Sequence, residues 1–71
     1  MHHETPAQVA ERRAYIAHEV EWMLDAGEWP PRVARRLGYS SAKTLDRVLR
    51  GWGYERIARR LDPYTTEKKV A

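Results

Sequence analysis

No cysteine occurs in the 71 residues, so neither a disulfide framework nor a cysteine-ligated zinc site can hold the fold together. Packing alone has to do that. Long apolar runs are missing as well: the uncharged stretches extend over only a few residues, far short of the roughly 18 that a membrane helix requires. No succession of basic, apolar and small residues opens the chain as a signal peptide would, and the expectation is a soluble, cytoplasmic protein. A chain this short buries only about 60 % of the surface it exposes when unfolded, which leaves no room for a large enzymatic cleft. His18 stands alone on a glutamate-rich segment, and no hydroxyl, imidazole and carboxylate share the spacing of a triad. The reading is therefore a single domain, not an enzyme, with no cofactor. His2 and His3 directly follow Met1 and read as a tag remnant or a frayed terminus rather than as a metal site.

What the chain does have is charge, unevenly placed. Residues 1 to 30 hold six acidic residues against Arg12 and Arg13, a balance of −4, whereas residues 31 to 61 hold nine cations against Asp46 and Glu55, a balance of +7. The last ten residues sum to zero. A field of one sign over half of a small domain points to a polyanionic partner. Ten arginines stand beside three lysines, a ratio that suits a GC-rich genome.

Periodicity and punctuation predict a small all-α domain of about four helices. Thr5-Pro6-Ala7-Gln8 has the form of a helix start, with Thr5 as cap, Pro6 at the first helical position and Gln8 reaching back. Val9, Arg13, Ile16, Val20, Met23 and Leu24 then recur at spacings of three and four, and Gly27 ends helix 1 near Ala26. Tyr15 and Trp22, seven residues apart, read as cover for a flank of the core or as a contact for another chain, with core the better reading. Trp29 and Trp52 are assigned to the core, although Trp29, beside two prolines, could instead be partly exposed. Pro31 opens a short helix 2 whose buried face is Val33, Ala34 and Leu37, and Gly38 lets the chain leave it. Either Ser40 or Ser41 can cap helix 3, where Leu45, Val48, Leu49 and Trp52 form the apolar stripe and Ala42, Lys43, Asp46, Arg47 and Arg50 are expected outside. Tyr54, Ile57, Ala58 and Leu61 mark helix 4, closed by Asp62-Pro63. Its Ile57-Ala58-Arg59-Arg60-Leu61 echoes Val33-Ala34-Arg35-Arg36-Leu37. The expected limits are a flexible N-terminus over residues 1–4, the domain over 5–62 and a flexible tail over 63–71.

A helix-turn-helix needs a small residue where its helices crowd, freedom at the turn, and apolar anchors that pin the second helix. Ala34, Gly38 and the pair Leu45 and Leu49 meet those needs within residues 31–52. The stretch from Val33 to Arg50, with Gly38-Tyr39-Ser40-Ser41 at its turn and Trp52-Gly53 after it, resembles the second helix-turn-helix of AraC-type bacterial regulators. The likeness spans about a third of the chain, with Leu45 standing where that family usually carries an aromatic residue. It implies major-groove roles for Ala42, Lys43, Asp46 and Arg47. The first helix of such a motif crosses the DNA backbone, which gives Arg35 and Arg36 to phosphate; Ser40 and Ser41 at the turn and Arg50, late in the recognition helix, are expected at phosphate too. Asp46 either orients Arg47 or Arg50 or accepts from cytosine N4. Arg59 and Arg60 are equally well phosphate contacts or idle.

The expected function is therefore double-stranded DNA binding by a small transcriptional regulator of bacterial, phage or mobile-element type, nucleoid-associated, as a homodimer or as paired monomers. The alternative is a module that docks on RNA polymerase or another host protein through helix 1, using Tyr15 and Trp22. RNA binding has less behind it, because no RNA-module signature is present.

Overall fold

The structure is a computed structural model and describes residues 3–65. Four α-helices form in chain order, α1 over Pro6–Asp25, α2 over Pro30–Arg36, α3 over Ala42–Gly51 and α4 over Glu55–Arg59, and a 3-10 turn over Asp62–Tyr64 follows. No strand occurs among the described residues, so the all-helical class expected from the periodicity is the one found.

Local chemistry accounts for where each helix starts and stops. At the head of α1 the Gln8 N–H donates to Thr5 Oγ1 at 3.1 Å, while the Thr5 N–H donates to Gln8 Oε1 at 2.9 Å. This reciprocal pair satisfies two of the donors that a helix start leaves without partners. The C-terminal ends of α2 and α3 share one device. Gly38 has a φ of +93°, and around it the Tyr39 N–H reaches back to Ala34 O at 2.8 Å and the Gly38 N–H to Arg35 O at 3.0 Å. That is a Schellman closure, which needs a left-handed residue and favours glycine. The end of α3 repeats it, with Tyr54 N–H to Leu49 O at 2.9 Å and Gly53 N–H to Arg50 O at 3.1 Å. In both places a tyrosine follows the glycine and packs partly buried against the core.

The core is a single cluster. Ala17, Val20 and Met23 of α1, Val33 and Ala34 of α2, Leu45 and Leu49 of α3, and Ile57, Ala58 and Leu61 from α4 and the residues after it bury together. The echo between Val33-Ala34-x-x-Leu37 and Ile57-Ala58-x-x-Leu61 has a structural meaning: α2 and α4 both pack on α3 and offer it the same apolar pattern. Asp62 and Pro63 continue into the 3-10 turn, which also contacts α3. Pro63 and Tyr64, expected in a terminal tail, lie in this 3-10 turn and are exposed. Residues 1, 2 and 66–71, with His2 and most of the expected tail, lie outside the described residues.

Three aromatic assignments need correction. Tyr15, Trp22 and Trp29 are 63 %, 64 % and 62 % exposed. The apolar arc of α1 is filled by Val20, Met23 and the small Ala17, and α2 and α4, which pack on it, cover no wider a strip, while Trp29 stands in the connection just before α2. Trp52 behaves as expected in part: it is half-buried against the core, with the Arg13 guanidinium 5.4 Å from its ring centroid, a cation–π contact that caps the indole.

Leu45 is fully buried on the central helix. Leu45→Ala is expected to cost roughly 2–5 kcal/mol, a large share of what so small a domain has. Thermal melting reads this directly, and a variant that melts like the wild type would mean that the packing around α3 is not as described.

Candidate functional site

The corner between α2 and α3 is built from Gly38, Tyr39, Ser40 and Ser41. Leaving α2 through Gly38 brings Tyr39 back onto the core and puts Ser41 in extended backbone, φ −160° and ψ 167°, as the cap of α3. The Thr44 N–H donates to Ser41 Oγ at 3.2 Å. Thr44 Oγ1 lies 3.1 Å from Ser40 Oγ and 3.2 Å from Ser41 Oγ, so three hydroxyls share hydrogen bonds at the start of the helix. Ser41 is half-buried and committed to capping, whereas Ser40 remains at the surface.

With Leu45 and Leu49 turned into the core, the 3.6-residue period sends Lys43 and Arg47 to the opposite side of α3, and both are exposed. Ala42, expected beside them, is 2 % exposed. It sits one turn before Leu45 and shares its buried side, so it cannot meet a base edge. Thr44, half-buried beside the capping serines, holds the turn instead.

Arg50 is the other departure. Its Nε donates to Asp46 at 3.0 Å, its Nη2 to Asp62 Oδ1 at 2.8 Å, and its Nη1 lies 3.6 Å from Glu55. The hydrogen bond to Asp46 is the chief cause that raises the guanidinium above its ordinary pKa; desolvation opposes it in part, and the hydrogen bond to Asp62 adds to the rise. Three carboxylates therefore surround a cation expected at phosphate. Asp46 orients Arg50 rather than Arg47 and points away from open solvent. Of its two expected roles, orientation is the one its contacts match.

Arg36 is also engaged, through both carboxylate oxygens of Glu28 at 3.0 and 3.1 Å. Arg59 lies 3.8 Å from Glu55, and Arg60 donates to Asp25 at 2.7 Å, tying the chain after α4 to the end of α1. Once these pairs are set aside, Arg32, Arg35, Lys43, Arg47 and Arg56 are the cations of the basic half with no carboxylate within 4.0 Å among the described residues. Four of the five lie on α2 and α3. Arg32 was not among the residues singled out from sequence, because the triplet Arg32, Arg35 and Arg36 gives no sign of which member a glutamate will occupy.

The outer face of α1 is acidic and aromatic. Glu11, Tyr15, His18, Trp22 and Asp25 follow one another at spacings of three and four along the outer face of α1, all exposed. No group of three or more metal-ligating side chains gathers among the described residues, and no helix among them is long and apolar enough to cross a membrane. Comparison with known proteins finds no matching family model, no similar curated protein and no similar solved structure.

Two variants test this geometry. Ser41→Ala removes the cap of α3 and is expected to cost about 1 kcal/mol in chemical denaturation. Replacing both Asp46 and Asp62 by Asn should lower the melting temperature at low salt, with the deficit shrinking as salt rises and screens the wild-type pairs. A double variant that matches the wild type at low salt would show that the carboxylates around Arg50 contribute nothing to the fold.

Proposed function

We propose that this chain binds double-stranded DNA, with α2, the turn and α3 acting as a helix-turn-helix and the outer face of α3 entering the major groove. The observation that carries the reading is the location of the uncompensated positive charge: Arg32, Arg35, Lys43 and Arg47 share the two helices of the motif, while carboxylates occupy most of the remaining cations of the basic half. A phosphate backbone rewards such an array, since each neutralised phosphate releases counterions. Residues early in a recognition helix reach base edges. That assigns Lys43 and Arg47 to base reading, Arg35 to phosphate, and Ser40 to a backbone contact at the turn. Arg36, Arg50 and Asp46, engaged within the chain, serve the scaffold. A module of this kind serves transcriptional regulation in a bacterium or phage, resident with the nucleoid. Two half-sites filled by a dimer or by paired monomers would raise its affinity to a useful level.

A second reading has one observation in its favour. Tyr15 and Trp22, about two-thirds exposed on the acidic face of α1, suit a protein partner better than a polyanion. The readings separate on α3: docking through α1 is indifferent to Lys43 and Arg47.

Binding of a labelled duplex across a salt series tests the proposal. Four phosphates neutralised by Arg32, Arg35, Lys43 and Arg47 give a slope of log affinity against log salt of about −3 to −4. Arg47→Ala is expected to cost about 1–3 kcal/mol on a preferred site and to relax the choice of base at one position. A flat salt response, or equal affinity after both Lys43 and Arg47 are changed to Ala, would reject DNA binding through α3.

A further inference from the structure

We propose that Trp29, Arg32 and Arg35 form a second nucleic-acid contact beside α2, a shelf on which one nucleotide of a DNA strand rests; this builds on the DNA-binding reading above. The indole is 62 % exposed, yet its support is rigid. The Trp29 carbonyl accepts from the Arg32 N–H at 2.9 Å and the Val33 N–H at 3.0 Å, and the next residue, Pro30, is buried. A large ring is thus held out from a fixed piece of backbone.

Two hollows flank it, and they differ in charge. The first, about 430 Å³, is lined by Ala26, Gly27, Glu28, Trp29, Arg32 and Arg36. There Glu28 holds Arg36, so the cation is compensated and the carboxylate repels phosphate. The second, about 470 Å³, is lined by Trp29, Pro31, Arg32 and Arg35. It contains no carboxylate, and neither arginine has a carboxylate partner among the described residues. Nor does a guanidinium cover the indole, since the cation–π stack found among the described residues is that of Arg13 on Trp52.

The second hollow therefore combines a bare aromatic surface, an indole N–H that can only donate, and two uncompensated planar cations. The ligand that uses all of these places an anion next to a ring. A nucleotide unit of a duplex does so, with phosphate between Arg32 and Arg35 and its deoxyribose against the indole. Free nucleotides share that chemistry. The strand is favoured because Arg35 belongs both to this hollow and to the charged face of α2 and α3, so a backbone followed along that face arrives here.

The test uses the full chain and a labelled duplex. Trp29→Ala should melt as the wild type does and bind the duplex about tenfold more weakly, the order of one aromatic contact. Trp29→Phe, which keeps a ring but loses the donor, should fall between the two. Arg32→Gln should lower the salt slope by about one. Saturating duplex should also change tryptophan emission in the wild type, and much of that change should be missing in Trp29→Phe. Millimolar deoxyadenosine monophosphate should neither reproduce the change nor displace the duplex. Wild-type affinity in Trp29→Ala, or an emission change that persists undiminished in Trp29→Phe, overturns the shelf while DNA binding stands. A mononucleotide that displaces the duplex or reproduces the emission change overturns the strand in favour of a small-molecule site. A wild type that binds no duplex overturns both readings together.

Discussion

Burial of Leu45 and Leu49 on α3 is the constraint from which the rest of the structure follows. A domain of this size has one core and no disulfide to supplement it, so the helix in contact with the most other elements must contribute its largest side chains inward. Both leucines are fully buried, and α2, α4 and the closing 3-10 turn all pack on their helix. Once they are in, the helical period leaves no choice about Lys43 and Arg47. The same burial draws Ala42 inward and requires sharp chain reversals on either side. Gly38 and Gly53 supply those reversals by admitting a backbone conformation that a side chain would resist.

The second organising fact is how charge is distributed after folding. Exposed ion pairs such as Arg60 with Asp25 or Arg36 with Glu28 add little to stability, but each removes a cation from what a partner meets. The basic half as written holds nine cations; folding engages Arg36, Arg50, Arg59 and Arg60. The field that remains is concentrated on α2 and α3, with an acidic, aromatic face along α1. A surface divided in this way orients an approaching polyanion before any contact forms. The same division gives the two proposed contacts, the outer face of α3 and the shelf at Trp29, a shared border at α2.

Much of the architecture was legible in the residues. Thr5, Pro6 and Gln8 marked the start of α1 because capping is local chemistry, and Gly27 and Gly38 marked helix ends for the same reason. The buried stripes of α2 and α3 followed from spacing alone. Where sequence reasoning missed, the cause was the width or the reach of an interaction. Periodicity gives the direction of a buried face but not its breadth, so Ala42 was placed outside and Tyr15 and Trp22 against the core; Trp29, between two helices, has no period to read. Large aromatics suit burial in so small a domain, but α1 is wider than the strip its neighbours cover.

Residue spacing within one helix determined which elements form, where they end and which side of each faces inward, because capping, φ preference and the 3.6-residue period all act over a few residues. Beyond the i,i+4 pairs of Arg50 with Asp46 and Arg59 with Glu55, tertiary structure decided which charges stay available. Arg50 meets Asp62 across 12 positions and Arg60 meets Asp25 across 35, separations that no local pattern encodes. Whether an arginine faces a partner or a neighbouring carboxylate depends on how the helices pack, since an ion pair forms only where folding brings the two groups within hydrogen-bonding reach, and more distant exposed charges are screened over about 8–10 Å.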